Sequence, residues 1–210
     1  MIDIKISEKK FGEKTILENI DITIHENGIY GFVGKNGQGK TTLFNCILGL
    51  TDFTGSILSD NEKIILNQVA WCATEPDLYD ELIPREFYEF YCELTNIKKS
   101  TNAFLFEVAE NQLIKSFSTG MKKKTYLNAI FQKEHHIYIL DEPFDGLDLE
   151  SNYQLINFLK EKSKTAIVLI SSHILEVLYT NCKSIFVVTN KNIEQIHKSE
   201  FAIIESLLFM

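Results

Sequence analysis

Two segments near the start of the chain alternate apolar and polar residues. Over residues 2–6 and 20–24, every second position is isoleucine and the positions between are polar or charged. A period of two with a single apolar face predicts strands of an antiparallel sheet that buries one side. At the other end of the chain, residues 185–196 predict a hairpin that turns at 190–192. We therefore expect an N-terminal antiparallel β flank and a C-terminal hairpin.

Three further segments are apolar runs of strand length, at 29–33, 137–140 and 166–170. Helix-like spacing of apolar residues follows the first run at 41–48, and another helical segment at 150–162 lies between the other two. Buried strands that alternate with helices are typical of a parallel sheet covered on both faces. The pattern therefore predicts an α/β fold built around a parallel sheet.

The middle of the chain, roughly 78–133, is helical in character. Its aromatic residues at helical spacing favour the core of a helical subdomain, with an exposed docking patch as the alternative: Phe87, Tyr88, Phe90 and Tyr91. The subdomain is expected at approximately 75–130. Because the chain contains neither an internal repeat nor a Pro/Gly-rich linker, we expect one domain over 1–210.

Charge and composition narrow the classes of function. The 210 residues include 21 basic and 29 acidic ones, a formal net charge of −8. This balance disfavours a nucleic-acid partner, because binding a phosphate backbone needs a basic face. No stretch approaches the roughly 20 apolar residues that span a bilayer, and the N-terminus lacks the pattern of a signal sequence. With four scattered cysteines and no CxxC pair, the chain is predicted to be cytoplasmic.

Residues 34–41, with the sequence GKNGQGKT, match the P-loop pattern GxxxxGK[ST] between the predicted strand at 29–33 and the helix at 41–48. Glycines in such a loop let backbone N–H groups converge on a phosphate, and the helix N-terminus adds its dipole. Lys40 offsets the charge of the β- and γ-phosphates, and Thr41 supplies an oxygen to Mg²⁺. The candidate nucleotide-binding residues here are Gly34, Asn36, Gly37, Gln38, Gly39, Lys40, Thr41 and Thr42.

Two carboxylates end the apolar strand at 137–140. An aspartate at the carboxyl end of a buried parallel strand beside a P-loop is placed to anchor Mg²⁺, which makes Asp141 a candidate metal ligand together with Thr41. Glu142, one position on, is expected to point into the cleft and to polarise an attacking water as general base. His173 follows the next buried strand and is within reach of the γ-phosphate. Taken alone, these are two surface acids and a surface histidine; the P-loop favours the catalytic interpretation.

The order of these motifs resembles the ATP-binding subunit of ABC transporters, over nearly the whole chain. Residues 117–121, FSTGM, resemble the LSGGQ signature of that family, and 145–148 resemble its D-loop. Ser172 and His173 resemble the switch-histidine loop, and Phe11 lies where the family places an aromatic that stacks on adenine. The resemblance implies a P-loop NTPase with a RecA-like core and a site for ATP and Mg²⁺.

The signature-like segment begins a helix whose N-terminus is suited to binding an anion. Ser118 is a natural N-cap, and Gly120 lies in the first turn of the helix that follows, so backbone donors and a positive dipole end face outward without a phosphate of their own. The resemblance implies that this end meets the γ-phosphate held by a second subunit, identical or related. Two ATP molecules are then held head to tail, with Asp148 of the D-loop-like segment also at the nucleotide site.

The chain departs from the family pattern at several positions. Thr74 stands where the family has the Q-loop glutamine, because Gln68 is six positions early; threonine keeps an oxygen but loses reach, so coordination through water is expected and coupling or turnover is affected. Thr119 and Met121 replace Gly and Gln of the signature, and phosphate contact is expected to survive. Residues 122–124 are three lysines, predicted to be a solvated helix face, with added charge near the partner's ATP as the alternative.

These observations predict an ATP-binding subunit that hydrolyses ATP in a head-to-tail dimer. It would power substrate movement, export by analogy with compact subunits, through a separate membrane permease from the cytosolic face of the membrane. Two alternatives stay open. One is a non-transport ABC-type ATPase, for example in Fe–S assembly. The other, motivated by Thr74, is an ATP-gated scaffold with weak hydrolysis.

Overall fold

A computed structural model describes residues 1–96 and 104–209. In chain order its strands are β1 (Ile2–Phe11), β2 (Lys14–Ile24), β3 (Gly28–Val33), β4 (Thr54–Ser59), β5 (Glu62–Lys63), β6 (Val69–Cys72), β7 (Ile137–Leu140), β8 (Ile167–Ser171), β9 (Ser184–Thr189) and β10 (Asn192–His197). Its α-helices are α1 (Lys40–Ile47), α2 (Pro84–Leu94), α3 (Thr119–Ile130), α4 (Leu149–Lys162), α5 (Leu175–Asn181) and α6 (Ile204–Phe209). Short 3₁₀ turns occupy Leu66–Gln68, Ile114–Ser116 and Lys198–Ile203.

The strands form two sheets. One is antiparallel, with the order β2-β1-β4-β5, and the other has the order β10-β9-β3-β8-β7-β6. In the second sheet every neighbouring pair is parallel except β10 with β9. The predicted α/β class, with a parallel core and an N-terminal antiparallel flank, is confirmed.

The two faces of the parallel sheet bury different layers of the protein. Alternation along β7 divides its side chains, so that Ile139 faces a cluster shared with α1 and the antiparallel sheet, whereas Tyr138 and Leu140 face the helices. In the antiparallel sheet, Ile4 pairs with Ile22 across β1 and β2, and both are buried. The alternating isoleucines therefore cover one face of the parallel sheet, and α3, α4, α5 and α6 cover the other.

The boundaries of several elements differ from their predicted positions by one residue. Helix α1 begins at Lys40 rather than at 41, and β8 covers Ile167–Ser171 rather than 166–170. The hairpin of β9 and β10 turns at Asn190 and Lys191, whose φ angles of 49° and 69° are typical of a type I′ turn. Gln68 ends a 3₁₀ turn, and β6 begins one residue later.

The described part of the predicted helical subdomain contains two α-helices, α2 and α3, and the 3₁₀ turn at Ile114–Ser116. Residues 97–103 of the predicted subdomain lie outside the described residues. Phe87 and Tyr88 are buried with residues of α3, which confirms the core interpretation for them, while Phe90 is 36% exposed. None of the helices in the described part of the chain has both the length and the apolar character needed to cross a lipid bilayer.

The four cysteines, all in the described part of the chain, are buried and form no disulfide: Cys46, Cys72, Cys92 and Cys182. Burial raises the pKa of the Cys46 thiol to about 11 and those of Cys72 and Cys182 to about 12. Because the thiolate is the reactive form, these side chains behave as inert apolar residues of the core.

Candidate functional site

A cavity of about 650 Å³ opens at the carboxyl edge of the parallel sheet, where β3 and β7 end and α1 begins. Twelve residues line it: Ile16, Asn36, Gly37, Gly39, Lys40, Thr41, Thr42, Thr74, Asp141, Glu142, Asp145 and His173. Most of the residues predicted for a nucleotide site are therefore brought together in one place. Ile16 and Asp145 were not predicted from the sequence.

The loop between β3 and α1 is shaped for close approach of a ligand to the backbone. Gly39, with φ +111°, occupies the N-cap position of α1 in a conformation that residues with a Cβ rarely adopt. Lys40 follows as the first residue of the helix and is 8% exposed. Its ammonium donates to the carbonyl of Gly34 at 2.8 Å, so the cation is held directly beneath the loop.

Asp141 is fully buried and accepts hydrogen bonds from three hydroxyls. Thr41 Oγ1 and Thr74 Oγ1 donate to its Oδ2 at 2.5 and 2.9 Å, and Ser171 Oγ donates to its Oδ1 at 2.5 Å. Carboxylate and hydroxyl oxygens are the ligands that Mg²⁺ prefers, and the donor set therefore fits that ion. Thr74 therefore reaches the Asp141 carboxylate by a direct hydrogen bond.

Glu142 places its carboxylate between a lysine and a histidine. Its Oε1 lies 3.7 Å from Lys40 Nζ, and its Oε2 accepts the backbone N–H of His173 at 3.1 Å and lies 3.2 Å from Nδ1 of that residue. The φ angle of Glu142 is +47° and proline follows it, a combination that costs on the order of 1–3 kcal/mol. The Glu142 N–H donates to Ser171 Oγ at 2.8 Å, which helps to hold this conformation.

Six predicted residues lie outside the cavity lining: Phe11, Gly34, Gln38, Ser118, Gly120 and Asp148. Phe11 ends β1 and is 55% exposed, with the ammonium of Lys9 4.2 Å from its ring centroid. Gly34 lies beneath the loop as the acceptor for Lys40, and the side-chain oxygen of Gln38 accepts the backbone N–H of Asn190 at 3.1 Å. The other three belong to the region around the start of α3.

The N-terminus of α3 is capped as its sequence predicts. Ser118 is exposed, and its hydroxyl accepts the N–H of Met121 at 3.3 Å. Gly120 packs so closely on the next loop that an added Cβ would lie 2.2 Å from the carbonyl oxygen of Gly146. Asp148 caps α4 and accepts from Lys124 at 2.6 Å, a hydrogen bond that lowers the pKa of its carboxyl well below the usual range.

The prediction of a solvated lysine face at 122–124 is wrong for its central residue. Lys122 pairs with Asp80 at 2.7 Å near the surface. Lys123, however, is 1% exposed and donates to the backbone oxygen of Glu142 at 2.9 Å. The helical period does indicate that Lys123 is buried, because Lys123 precedes the core residue Leu127 by four positions and therefore lies on the same face of α3.

Comparison with known proteins identifies the family. Residues 17–145 match the family model described as ABC transporter. The chain belongs to this family. Among curated relatives, the ABC-type transporter ATP-binding protein EcsA of Bacillus subtilis (strain 168) is 30% identical over 207 residues, which cover 90% of this chain and 84% of EcsA.

Solved ABC structures share the fold. An ATP-binding subunit of an ABC transporter superposes with a TM-score of 0.85 at 25% identity, covering 93% of this chain and 89% of that one. The ATP-binding cassette MJ0796, solved as a dimer in a post-hydrolysis state with ADP and Pi, superposes with a TM-score of 0.81 at 18% identity, covering 94% and 99%. This ABC chain is therefore an ATP-binding transporter subunit of the P-loop type and an ATPase.

Proposed function

We propose that this subunit hydrolyses ATP in a head-to-tail dimer and drives export of a substrate through a separate membrane permease, from the cytosolic face. The observation that carries the proposal is the meeting of Lys40, Asp141, Glu142 and His173 around one cavity. In this cavity Lys40 can neutralise charge on a bound phosphate, and the Glu142 carboxylate beside it can accept a proton. Such positioning and charge stabilisation account for most of the catalysis of phosphoryl transfer.

The P-loop side of the cavity binds the phosphates. Lys40 is already held beneath the loop by Gly34, so its ammonium is oriented before ATP arrives. Backbone N–H groups at the start of α1 face the same space, with the positive end of the helix dipole behind them. Thr41 and Asp141, with Thr74 beside them, would hold Mg²⁺, which neutralises charge on the phosphate oxygens when bound.

Glu142 is the general base of the proposed reaction. Its carboxylate accepts the proton of the attacking water while Lys40 and His173 fix its orientation at both oxygens. The imidazole of His173 lies against the same carboxylate, with Nδ1 3.2 Å from Oε2, and is therefore placed beside the position of the attacking water. The base is therefore held by its neighbours before the substrate binds, which reduces reorganisation during the reaction.

The second subunit completes each site in this proposal. The start of α3 offers Ser118 and Gly120 with a helix dipole behind them, and neither residue lines the chain's own cavity. An exposed anion-binding helix end of this kind is suited to the γ-phosphate bound by another copy or a paralogue. Asp148 lies beside it, and Phe11 is proposed to stack on adenine at the outer edge of the site.

Transport through a separate permease is supported by membership of the ABC transporter family. Outward transport is supported by the compact helical segment. A scaffold without useful hydrolysis is less well supported, because Glu142 occupies the cavity and Thr74 reaches Asp141. Measuring steady-state phosphate release by the chain distinguishes a transport ATPase from a scaffold, because robust turnover contradicts the scaffold.

The decisive experiment is Glu142→Gln. Removing a general base lowers turnover by about 100-fold or more, while ATP binding persists because the P-loop is intact. We expect single-turnover hydrolysis to fall and gel filtration to show an ATP-stabilised dimer. The matched control is Glu161→Gln, since Glu161 is an exposed residue of α4 paired with Lys164. Unchanged hydrolysis in Glu142→Gln would contradict the assignment.

A further inference from the structure

Lys123 of α3 is a buried cation that the reaction described above does not use. It is 1% exposed, and its ammonium donates to the backbone oxygen of Glu142 at 2.9 Å. Within the ranges 1–96 and 104–209, no carboxylate forms an ion pair with it. A lysine is almost never fully buried without a partner. The partner here is a carbonyl, and it belongs to the residue that carries the proposed base.

The backbone of Glu142 is held on both sides of its Cα. On one side its N–H donates to Ser171 Oγ at 2.8 Å, and Ser171 in turn donates to Asp141. On the other side its carbonyl accepts from Lys123 at 2.9 Å and from the N–H of Asp145 at 3.3 Å. A residue with φ of +47° keeps that conformation only when its surroundings impose it.

We propose that Lys123 is a positioning residue for ATP hydrolysis. By fixing the carbonyl of Glu142 it holds the peptide plane, and thereby keeps the carboxylate between Lys40 and His173. The inference rests on the proposed role of Glu142 as general base. A hydrogen bond to a charged donor in a site closed to water is strong, so this contact can maintain a conformation that the local sequence disfavours.

The test is Lys123→Met, which keeps the length and apolar stem of the side chain and removes the donor. A displaced base lowers kcat by about 10- to 100-fold. The KM for ATP and the affinity for ATP stay within about 2-fold, because the P-loop does not contact Lys123. The matched control is Lys122→Met on the same helix, which loses only a surface pair with Asp80 and keeps the wild-type rate. Lys123→Arg, which retains a cationic donor, recovers part of the loss.

A double-mutant cycle with Glu142→Gln separates positioning from general damage. If Lys123 acts only through Glu142, adding Lys123→Met to Glu142→Gln causes no further loss of single-turnover rate. Multiplicative losses would overturn the proposal, as would a parallel fall of ATP affinity, thermal stability and kcat. If Glu142→Gln abolishes turnover but Lys123→Met matches wild type, the role of Lys123 fails and the role of Glu142 stands. If Glu142→Gln is fully active, both fail.

Discussion

The cavity at the end of the parallel sheet and the start of α3 are built in different ways. In the cavity, Lys40, Asp141 and Glu142 are buried and already contact one another or shared neighbours before a ligand is present. At the start of α3, Ser118 is exposed and satisfies only the N–H of Met121 in its own helix. The first region is preassembled, whereas the second presents a capped helix N-terminus with an exposed serine.

The difference follows from which elements supply the residues. Asp141 and Glu142 directly follow β7, and Lys40 opens α1, so rigid elements of the core fix their positions. Parallel strands bring their carboxyl ends to one edge, where charges can be paired against each other. The start of α3 packs on the next loop through the close approach of Gly120 to Gly146. In the proposed dimer, this helix end meets the γ-phosphate that the other subunit binds.

The largest expected effect comes from removing the cation of the cavity. In Lys40→Met the phosphates lose a charged donor, and ATP affinity should fall about 100-fold, about 2.7 kcal/mol. Equilibrium binding of a fluorescent ATP analogue measures this. Lys63→Met removes an exposed lysine of β5 and serves as the control. Full ATP affinity in Lys40→Met would show that the cavity is not preassembled around this cation.

The contact that anchors the start of α3 is tested by Gly120→Ala. The added Cβ meets the carbonyl oxygen of Gly146 at 2.2 Å, so the backbone must shift. We expect the free energy of unfolding to fall by about 2 kcal/mol and ATP-dependent dimerisation to weaken, with ATP binding by the monomer retained. Thermal unfolding measures the loss of stability, and light scattering measures the weakening of dimerisation. Thr119→Ala, at the exposed neighbouring position, should behave like wild type; equal behaviour of the two variants would contradict the anchoring role.

A smaller effect is expected at Thr74, within the cavity. Thr74→Ala removes the hydrogen bond to Asp141 Oδ2, and the Mg²⁺ concentration needed for half-maximal ATP binding should rise about 5-fold, about 1 kcal/mol. Thr74→Ser keeps the hydroxyl and should match wild type. A shift of the same size in both variants would mean that the methyl group, rather than the hydroxyl, matters.

The smallest effect lies away from both regions, at His135. Burial lowers the pKa of His135 below its usual 6.5, outweighing the backbone groups of Gln68 and Ile130 that favour the charged form. The unfolded chain therefore takes up this proton first, and the associated stability is present above pH 6.5 and lost as the pH falls. His135→Asn should flatten the dependence of Tm on pH between 7.5 and about 5.5. The matched control is His136→Asn, which removes the exposed neighbouring imidazole; equal flattening in the two variants would contradict the role of burial.

The fold and the cavity could be predicted because their signals are local in sequence. The alternation over 2–6 and the apolar run at 137–140 each define one element, and the P-loop motif sets the edge where the strands meet. The short strands β4 and β5 and the helices α5 and α6 were not predicted, since elements of two to seven residues contain too little periodicity.

The remaining features depend on tertiary contacts. That Thr74 reaches Asp141 is set by the pairing of β6 with β7, which brings residues 67 positions apart together. That Lys123 is buried was encoded in its helical face, but the neighbouring lysines masked the pattern. Its acceptor, a backbone carbonyl in another segment, has no signature in the sequence. Motifs of side chains can be recognised in a sequence, whereas contacts to backbone atoms cannot.

The four buried thiols have a practical consequence. Burial of all four, together with the raised pKa values of Cys46, Cys72 and Cys182, keeps them unreactive toward maleimides in the folded protein. A cysteine introduced at exposed Thr119 can therefore be labelled selectively while the native cysteines remain in place. In the proposed head-to-tail dimer, a fluorophore at that position would lie at the subunit interface and would report closure of the dimer in real time.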